Sequence, residues 1–159
     1  FTNEELAYAN EHIRILSGLY GILRPLDKIQ PYRLEMGTRL KVRTKNNLVQ
    51  FWRDKLTKHL NNEMAESGES TVLNLASNEY FDALDLKKLI PKVIDVDFKE
   101  ERNGALKFIS FNAKKARGMM CNYIVKNEID TVEDVEGFDY EDYHFETKLS
   151  SENKLVFIR

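Results

Sequence analysis

Residues Leu16 to Gly37 read LSGLYGILRPLDKIQPYRLEMG, and this stretch constrains the fold more than any other. Gly18, Gly21 and Gly37, with Pro25 and Pro31, interrupt any regular element that could run through it. Yet it is rich in Leu, Tyr and Met, which a solvated loop does not need. The segment therefore reads as neither helix nor strand but as an irregular wall packed against the rest of the chain. Arg24, Asp27, Arg33 and Glu35 give that wall the polar groups of a site.

Regular elements are legible on either side. Thr2 and Glu5 have capping-box spacing, which predicts a helix from about Asn3. Leu6, Ala9, Ile13 and Leu16 continue at helical spacing, and that helix should fade before Gly18. Arg39 to Thr44 alternates Leu40 and Val42 with Arg39, Lys41 and Arg43, the pattern of a short strand with one basic face. Asn47 to Glu66 predicts a long helix with a stripe of Leu48, Phe51, Trp52, Leu56, Leu60 and Met64, stopped at Ser67-Gly68. Thr71 to Ala76 reads as a buried strand, after which Ser77 can cap a short helix through Phe81. Val93 to Phe98 and Leu106 to Phe111 predict two strands joined through the turn dipeptide Asn103-Gly104. Asn112 is then the expected cap of a helix to about Lys126, Thr131 to Val135 a short second helix, and Leu155 to Ile158 a last strand. The expected fold class is mixed α+β, with helices packed on a small mixed or antiparallel sheet that includes a β-hairpin. The 159 residues suit a single domain.

Charge is segregated. The net charge is −2, but Met36 to Lys58 carries Arg39, Lys41, Arg43, Lys45, Arg53, Lys55 and Lys58 against Asp54 alone. Glu128 to Glu146 holds nine carboxylates and no Lys or Arg. Such segregation polarises the surface of a nearly neutral molecule. No apolar run is long enough to cross a bilayer, so no membrane partner is expected. The lone Cys121 cannot form an internal disulfide and suits a reducing compartment; the expectation is a cytoplasmic protein.

Two basic groups are candidates for phosphate contact. Lys114, Lys115 and Arg117 fall in the first turns of a predicted helix, where free backbone N–H groups and the positive dipole end favour an anion rather than cations. A solvated face paired with nearby acids is the competing reading. Arg33, with Arg39, Lys41 and Arg43 on the predicted strand, forms the second group, which could track a nucleic-acid backbone or simply protect a sheet edge. Tyr20, Tyr32, Phe51, Trp52, Tyr80 and Phe111 lie near these cations in sequence. Most should be core, and Tyr32 is the one expected to reach a pocket. Tyr32, Glu35, Asn74 and Ser77 are the candidates for catalysis, although no histidine completes a hydrolytic triad with them and none is assigned. Asp142, His144 and Glu146 alternate as metal ligands would on one strand face, a pattern a solvent-facing strand also produces; no metal or other cofactor is expected. Ile129 to Phe138 resembles the first half of a helix-hairpin-helix DNA-binding motif, with Asp139 where the second hairpin glycine would stand.

The irregular first block, Gln50-Phe51-Trp52, Asn74-Leu75-Ala76-Ser77-Asn78-Glu79-Tyr80-Phe81 and Ile109-Ser110-Phe111-Asn112-Ala113-Lys114-Lys115-Ala116-Arg117-Gly118 together resemble the YaaA family of peroxide stress proteins, formerly a family of unknown function. Members begin with a further region containing a Ser-Pro-Ala-Lys-Thr segment that has no counterpart here, so the chain is expected to be the C-terminal portion of such a protein. The resemblance implies a YaaA-like fold in a cytoplasmic protein that binds DNA, protects it during hydrogen peroxide stress and affects intracellular iron. With no iron-ligand set visible, the iron effect would be indirect. DNA binding would be backbone-led and weakly sequence-specific. An enzyme acting on nucleic acid or a nucleotide, and a protein-interaction module, are the alternatives.

Overall fold

The computed structural model describes residues 1–159. In chain order the elements are α1 (Asn3–His12), β1 (Ile15–Ser17), β2 (Gly21–Leu23), α2 (Leu48–Ser67), β3 (Thr71–Asn74), α3 (Asn78–Phe81), β4 (Lys92–Arg102), β5 (Ala105–Lys107), α4 (Ser110–Asn127), α5 (Val132–Val135), β6 (His144–Phe145) and β7 (Lys154–Ile158), with single 3-10 turns at Tyr140–Asp142 and Thr147–Leu149. The fold is α+β, as expected. None of its helices is long and apolar enough to cross a membrane. The chain forms two compact units: one of residues 1–8, 73–75 and 93–159, the other of residues 9–72 and 76–92.

In the unit of residues 9–72 and 76–92, α2 is the organising element. Asn47 caps it by accepting from the Gln50 N–H at 2.8 Å, and Gly68 closes it in the left-handed conformation with its N–H on the Met64 carbonyl. Its buried Leu48, Leu56 and Leu60 meet Met36, Ala83 and Leu84 in one core. Phe51 and Trp52 are half-buried beside them. The irregular segment does pack, with Met36 fully buried, but it is more regular at its start than the sequence suggests. Helix α1 stops at His12, and Leu16 belongs to an antiparallel hairpin, β1–β2. Gly21 makes that hairpin possible: its φ is +84°, and an added Cβ would meet the Trp52 ring at 2.8 Å. The Trp52 indole N–H donates to the Gly18 carbonyl at 2.9 Å, fixing the hairpin on α2.

The strand expected over Arg39 to Thr44 does not form. Val42 and Lys45 instead exchange backbone hydrogen bonds of 3.0 Å around a tight turn, with Arg43 at φ 53°. A left-handed residue in the middle ends the alternation that would have aligned Arg39, Lys41 and Arg43 on one face.

In the other unit a mixed sheet runs β3-β4-β7-β6, with β5 paired to β4. Strand β7 lies parallel to β4 and antiparallel to β6, and Leu155, Val156 and Phe157 are all buried, as befits an interior strand. Ile94, Val96 and Phe98 of β4 alternate inward onto Ala113, Ala116 and Met120 of α4. Phe98 stacks on Phe157 with ring centroids 5.5 Å apart, and Phe138 and Tyr143 close the cluster edge-on or tilted. The Asn103-Gly104 turn forms as expected, both residues having positive φ, but its second strand ends at Lys107. Helix α4 begins at Ser110, two residues before the expected cap. Asn112 is already in its first turn, and its amide donates to Glu100 at 2.5 Å instead of capping. The capping box at α1 is present in both halves: Thr2 N–H donates to Glu5 at 2.8 Å and Glu5 N–H to Thr2 Oγ1 at 3.2 Å.

Candidate nucleic-acid interface

The basic turn between Gly37 and Asn47 has the simplest electrostatics. Arg33, Arg39, Lys41 and Arg43 are exposed, and none forms an ion pair. No acid lies between Met36 and Asp54. Because the backbone makes no ladder here, each side chain leaves the chain on its own, with nothing but solvent to neutralise it. Arg24 differs. Its guanidinium reaches Glu63 at 2.6 Å, and Arg14 reaches the same carboxylate at 2.9 Å. Burial pushes the Glu63 carboxyl up, but the hydrogen bonds from Arg14 and Arg24 outweigh it and the net shift is downward. Arg24 is thus structural.

Beside that turn, in the same unit, lies a cluster of phenols and carboxylates. The Tyr80 hydroxyl donates to Glu35 at 2.7 Å. Burial and then this bond push the Tyr80 phenol up to about 12, so it stays protonated and donates its hydrogen bond to Glu35. Glu79 accepts from the Gly37 N–H at 2.9 Å. Tyr32 is 39% exposed; its hydroxyl lies 2.5 Å from that of the buried Ser17, whose oxygen also takes the Tyr20 N–H at 3.0 Å. The Tyr20 and Tyr32 rings meet edge-on at 5.4 Å. Glu35 is thus tied to Tyr80, and Tyr32 to Ser17, within this one unit. Ser77 stands at the start of α3 in this unit, but its side chain makes no capping bond. Asn74 belongs to the other unit, where its amide donates to Asp95 at 2.8 Å.

In the unit holding α4, the three predicted cations have separate fates. Lys114 is exposed and unpaired. Lys115 is bound to Glu141, whose carboxyl that bond lowers. Arg117 is half-buried, with Nε donating to the Ala113 carbonyl one turn back at 3.3 Å. The sequence reading missed the neighbouring network. Glu100 is 6% exposed and accepts from Arg102 at 2.7 and 3.0 Å, from Asn112 at 2.5 Å and from Arg159 at 2.9 Å. Arg159 also reaches Glu141 at 3.1 Å and covers the Tyr143 ring, 4.7 Å from its centroid. Part of the signal was present: Glu100 and Arg102 are two apart on a strand and so share a face.

Asp142, His144 and Glu146 do not share one. Asp142 has φ 65°, outside any strand, and the Glu146 carboxylate accepts the Lys148 N–H at 3.0 Å. No group of three or more possible ligands is gathered anywhere in the chain. In the segment resembling half a helix-hairpin-helix, Thr131 caps α5 on the Asp134 N–H at 3.2 Å, and Val135 and Phe138 are buried in the core. Its apolar positions thus serve packing.

Fold and surface together define an α+β protein with unneutralised cations on exposed segments. The family model described as Peroxide stress protein YaaA matches residues 1–149. A UPF0246 protein of Saccharophagus degradans is 50% identical over 159 residues, which are 100% of this chain and 62% of that protein. UPF0246 proteins of Tolumonas auensis (51% over 159 residues, 100% and 61%) and Flavobacterium johnsoniae (51% over 156 residues, 98% and 61%) are similarly related. The chain belongs to the YaaA peroxide stress protein family. It spans about three fifths of the length of the curated relatives it matches.

Proposed function

We propose that this chain carries a DNA-contacting surface of a cytoplasmic peroxide stress protein that protects DNA from oxidative damage and affects intracellular iron indirectly. The observation that carries the reading is the exposed set Arg33, Arg39, Lys41 and Arg43, four cations with no carboxylate partner in a chain whose net charge is −2. Cations in that condition bind phosphate by releasing condensed counterions, which gives backbone-led affinity with little sequence preference. Lys114, with Arg117 beside it, adds phosphate contacts on α4; Lys115 does so only by exchanging Glu141 for the ligand.

The test is fluorescence anisotropy of a labelled duplex titrated with the full-length protein across a salt series. Arg39→Ala/Lys41→Ala should weaken binding uniformly across sequences. It should also flatten the slope of log K against log salt by about 0.9 for each phosphate contact removed. An unchanged slope in that variant and in Lys114→Ala/Arg117→Ala would remove these residues from the interface.

A second reading, an enzyme acting on nucleic acid or a nucleotide, has one observation in its favour: the Tyr80 phenol, kept protonated by burial and by Glu35 beside it, orients that exposed carboxylate. It predicts a Glu35→Gln variant that binds but no longer turns over substrate.

A further inference from the structure

The corner where β5 passes into α4 is an aromatic surface with nothing packed on it. Lys107 ends β5 and Ser110 begins α4, so Phe108 lies in the very short connection and Phe111 in the first turn of the helix. Phe108 is 59% exposed and Phe111 78%. Neither makes a ring contact with any other aromatic, although the core of the same unit is built from such contacts. Leaving two phenylalanines this exposed forgoes much of the stabilisation that burying them would supply.

What surrounds them points to an occupant. Helical spacing puts Phe111, Lys114, Lys115 and Gly118 along one outward stripe. Lys107 stands on the strand side and Lys114 one turn along the helix; both are exposed and neither has a carboxylate partner. Gly118 is the third observation. A glycine inside a helix is destabilising relative to alanine. Here, apart from its chain neighbours and the surrounding backbone of its own helix, nothing lies within 4 Å of where its Cβ would be, so packing against other elements does not demand it. A glycine that the fold does not need, on the stripe that carries an exposed phenylalanine and a free lysine, leaves a clear floor for something that approaches the helix from outside. Exposed aromatic faces flanked in sequence by unpaired cations suit a nucleic-acid strand whose base is out of its stack. An apolar protein partner would fit the phenylalanines but would leave Lys107 and Lys114 unneutralised.

Building on the DNA-binding reading above, we infer that Phe111, with Phe108 beside it, is a stacking platform for an unpaired base. Lys114 holds the adjoining phosphate, and the bare backbone at Gly118 lets the strand lie close to α4. The site thus selects DNA with an extruded or unpaired nucleotide over a perfect duplex.

The experiment uses the full-length protein and two labelled duplexes that differ only in whether a single 2-aminopurine is bulged or paired. The expected result is binding of the bulged duplex about tenfold tighter than the paired one, with quenched 2-aminopurine emission, since one base stacked on an aromatic side chain is worth about five- to 160-fold. Phe111→Ala should abolish both the preference and the quenching while leaving paired-duplex affinity unchanged. Phe111→Trp should retain both, and Lys114→Ala should weaken the two duplexes alike. Both Phe111 changes lie at an exposed position, and unchanged thermal unfolding checks that the fold is kept. Equal affinity for the two duplexes, or a preference that survives in Phe111→Ala/Phe108→Ala, overturns the stacking site while leaving the DNA-binding reading standing. Failure to bind either duplex overturns both.

Discussion

Replacing Glu100 by Gln tests whether the buried ion network of the α4 unit holds that unit together. Glu100 ends the inward-facing row of β4 and gathers two guanidinium groups and an amide on one carboxylate. The Arg102 hydrogen bonds are the largest influence on its carboxyl; burial opposes them, Asn112 and Arg159 reinforce them, and the result is a fall from 4.5 to about 2. A carboxylate whose folded pKa is depressed contributes its full stabilisation above the unfolded value, here 4.5, and loses it as pH falls through about 2. At about 1.4 kcal/mol for each tenfold change in proton affinity, that difference corresponds to roughly 3 kcal/mol at neutral pH. Glutamine preserves the volume and one acceptor oxygen, but its NH2 faces guanidinium N–H groups and leaves Arg102 without a counter-charge and Arg159 with Glu141 alone. Urea denaturation at about pH 7 should therefore find Glu100→Gln about 2–3 kcal/mol less stable with an unchanged m-value. At about pH 3 the wild type has already lost more than half of the Glu100 contribution, and the gap should narrow to about 1 kcal/mol. A gap that is the same at both pH values would show that the loss comes from packing or hydrogen-bond geometry and not from the ionised carboxylate, and the argument would fail.

Three substitutions probe the local chemistry. Gly21→Ala places a Cβ against the Trp52 ring on a backbone of φ +84°; it should cost more than about 2 kcal/mol and shift the Trp52 fluorescence, as thermal and emission measurements would show. Asn47→Ala removes the cap of α2 and should lower stability by about 1 kcal/mol in a denaturant titration, leaving the emission in place. Gly118→Ala meets no other element of the fold and should raise the melting temperature, by a stabilisation of up to about 1 kcal/mol; a loss of stability would mean that the helix is not free on that side.

Legibility in the sequence followed how local the determining interaction is. Helix α2 was readable end to end because its cap, stripe and terminating glycine are all within its own residues. So was the Asn103-Gly104 turn, where two adjacent residues accept positive φ. The β1–β2 hairpin was not readable, because its turn depends on Trp52 and Leu56, which lie across Gly21 from a helix some thirty residues away. At Arg39 to Thr44 the alternation was real but short, and a single left-handed residue at Arg43 was enough to convert a strand pattern into a turn. Asn112 was misread for the opposite reason. Its type suits a cap, but a carboxylate on β4 offers its amide a charged acceptor, and the helix starts two residues earlier at Ser110. The phosphate candidates were recognised by type alone. Sequence cannot show that Glu141 would take Lys115, since 26 residues separate them and Glu141 sits in a turn of positive φ.

That last pairing separates the two basic groups in kind. On the turn at 39–43 the cations have no internal partner, so a phosphate there displaces only water and counterions, and its affinity should fall with salt as free charges dictate. On α4 one cation is already neutralised by Glu141 and another leans back on its own helix, which leaves Lys114 and the exposed rings to act. A region whose only free charges are Lys107 and Lys114, beside two exposed aromatic rings, contributes less to salt-dependent attraction and more to discrimination between DNA structures. On the DNA-binding reading the two kinds of variant should therefore fail differently. Loss of Arg39 and Lys41 should lower affinity for every DNA and flatten the salt slope. Loss of Phe111 should leave the slope as it is and remove the preference for an unpaired base.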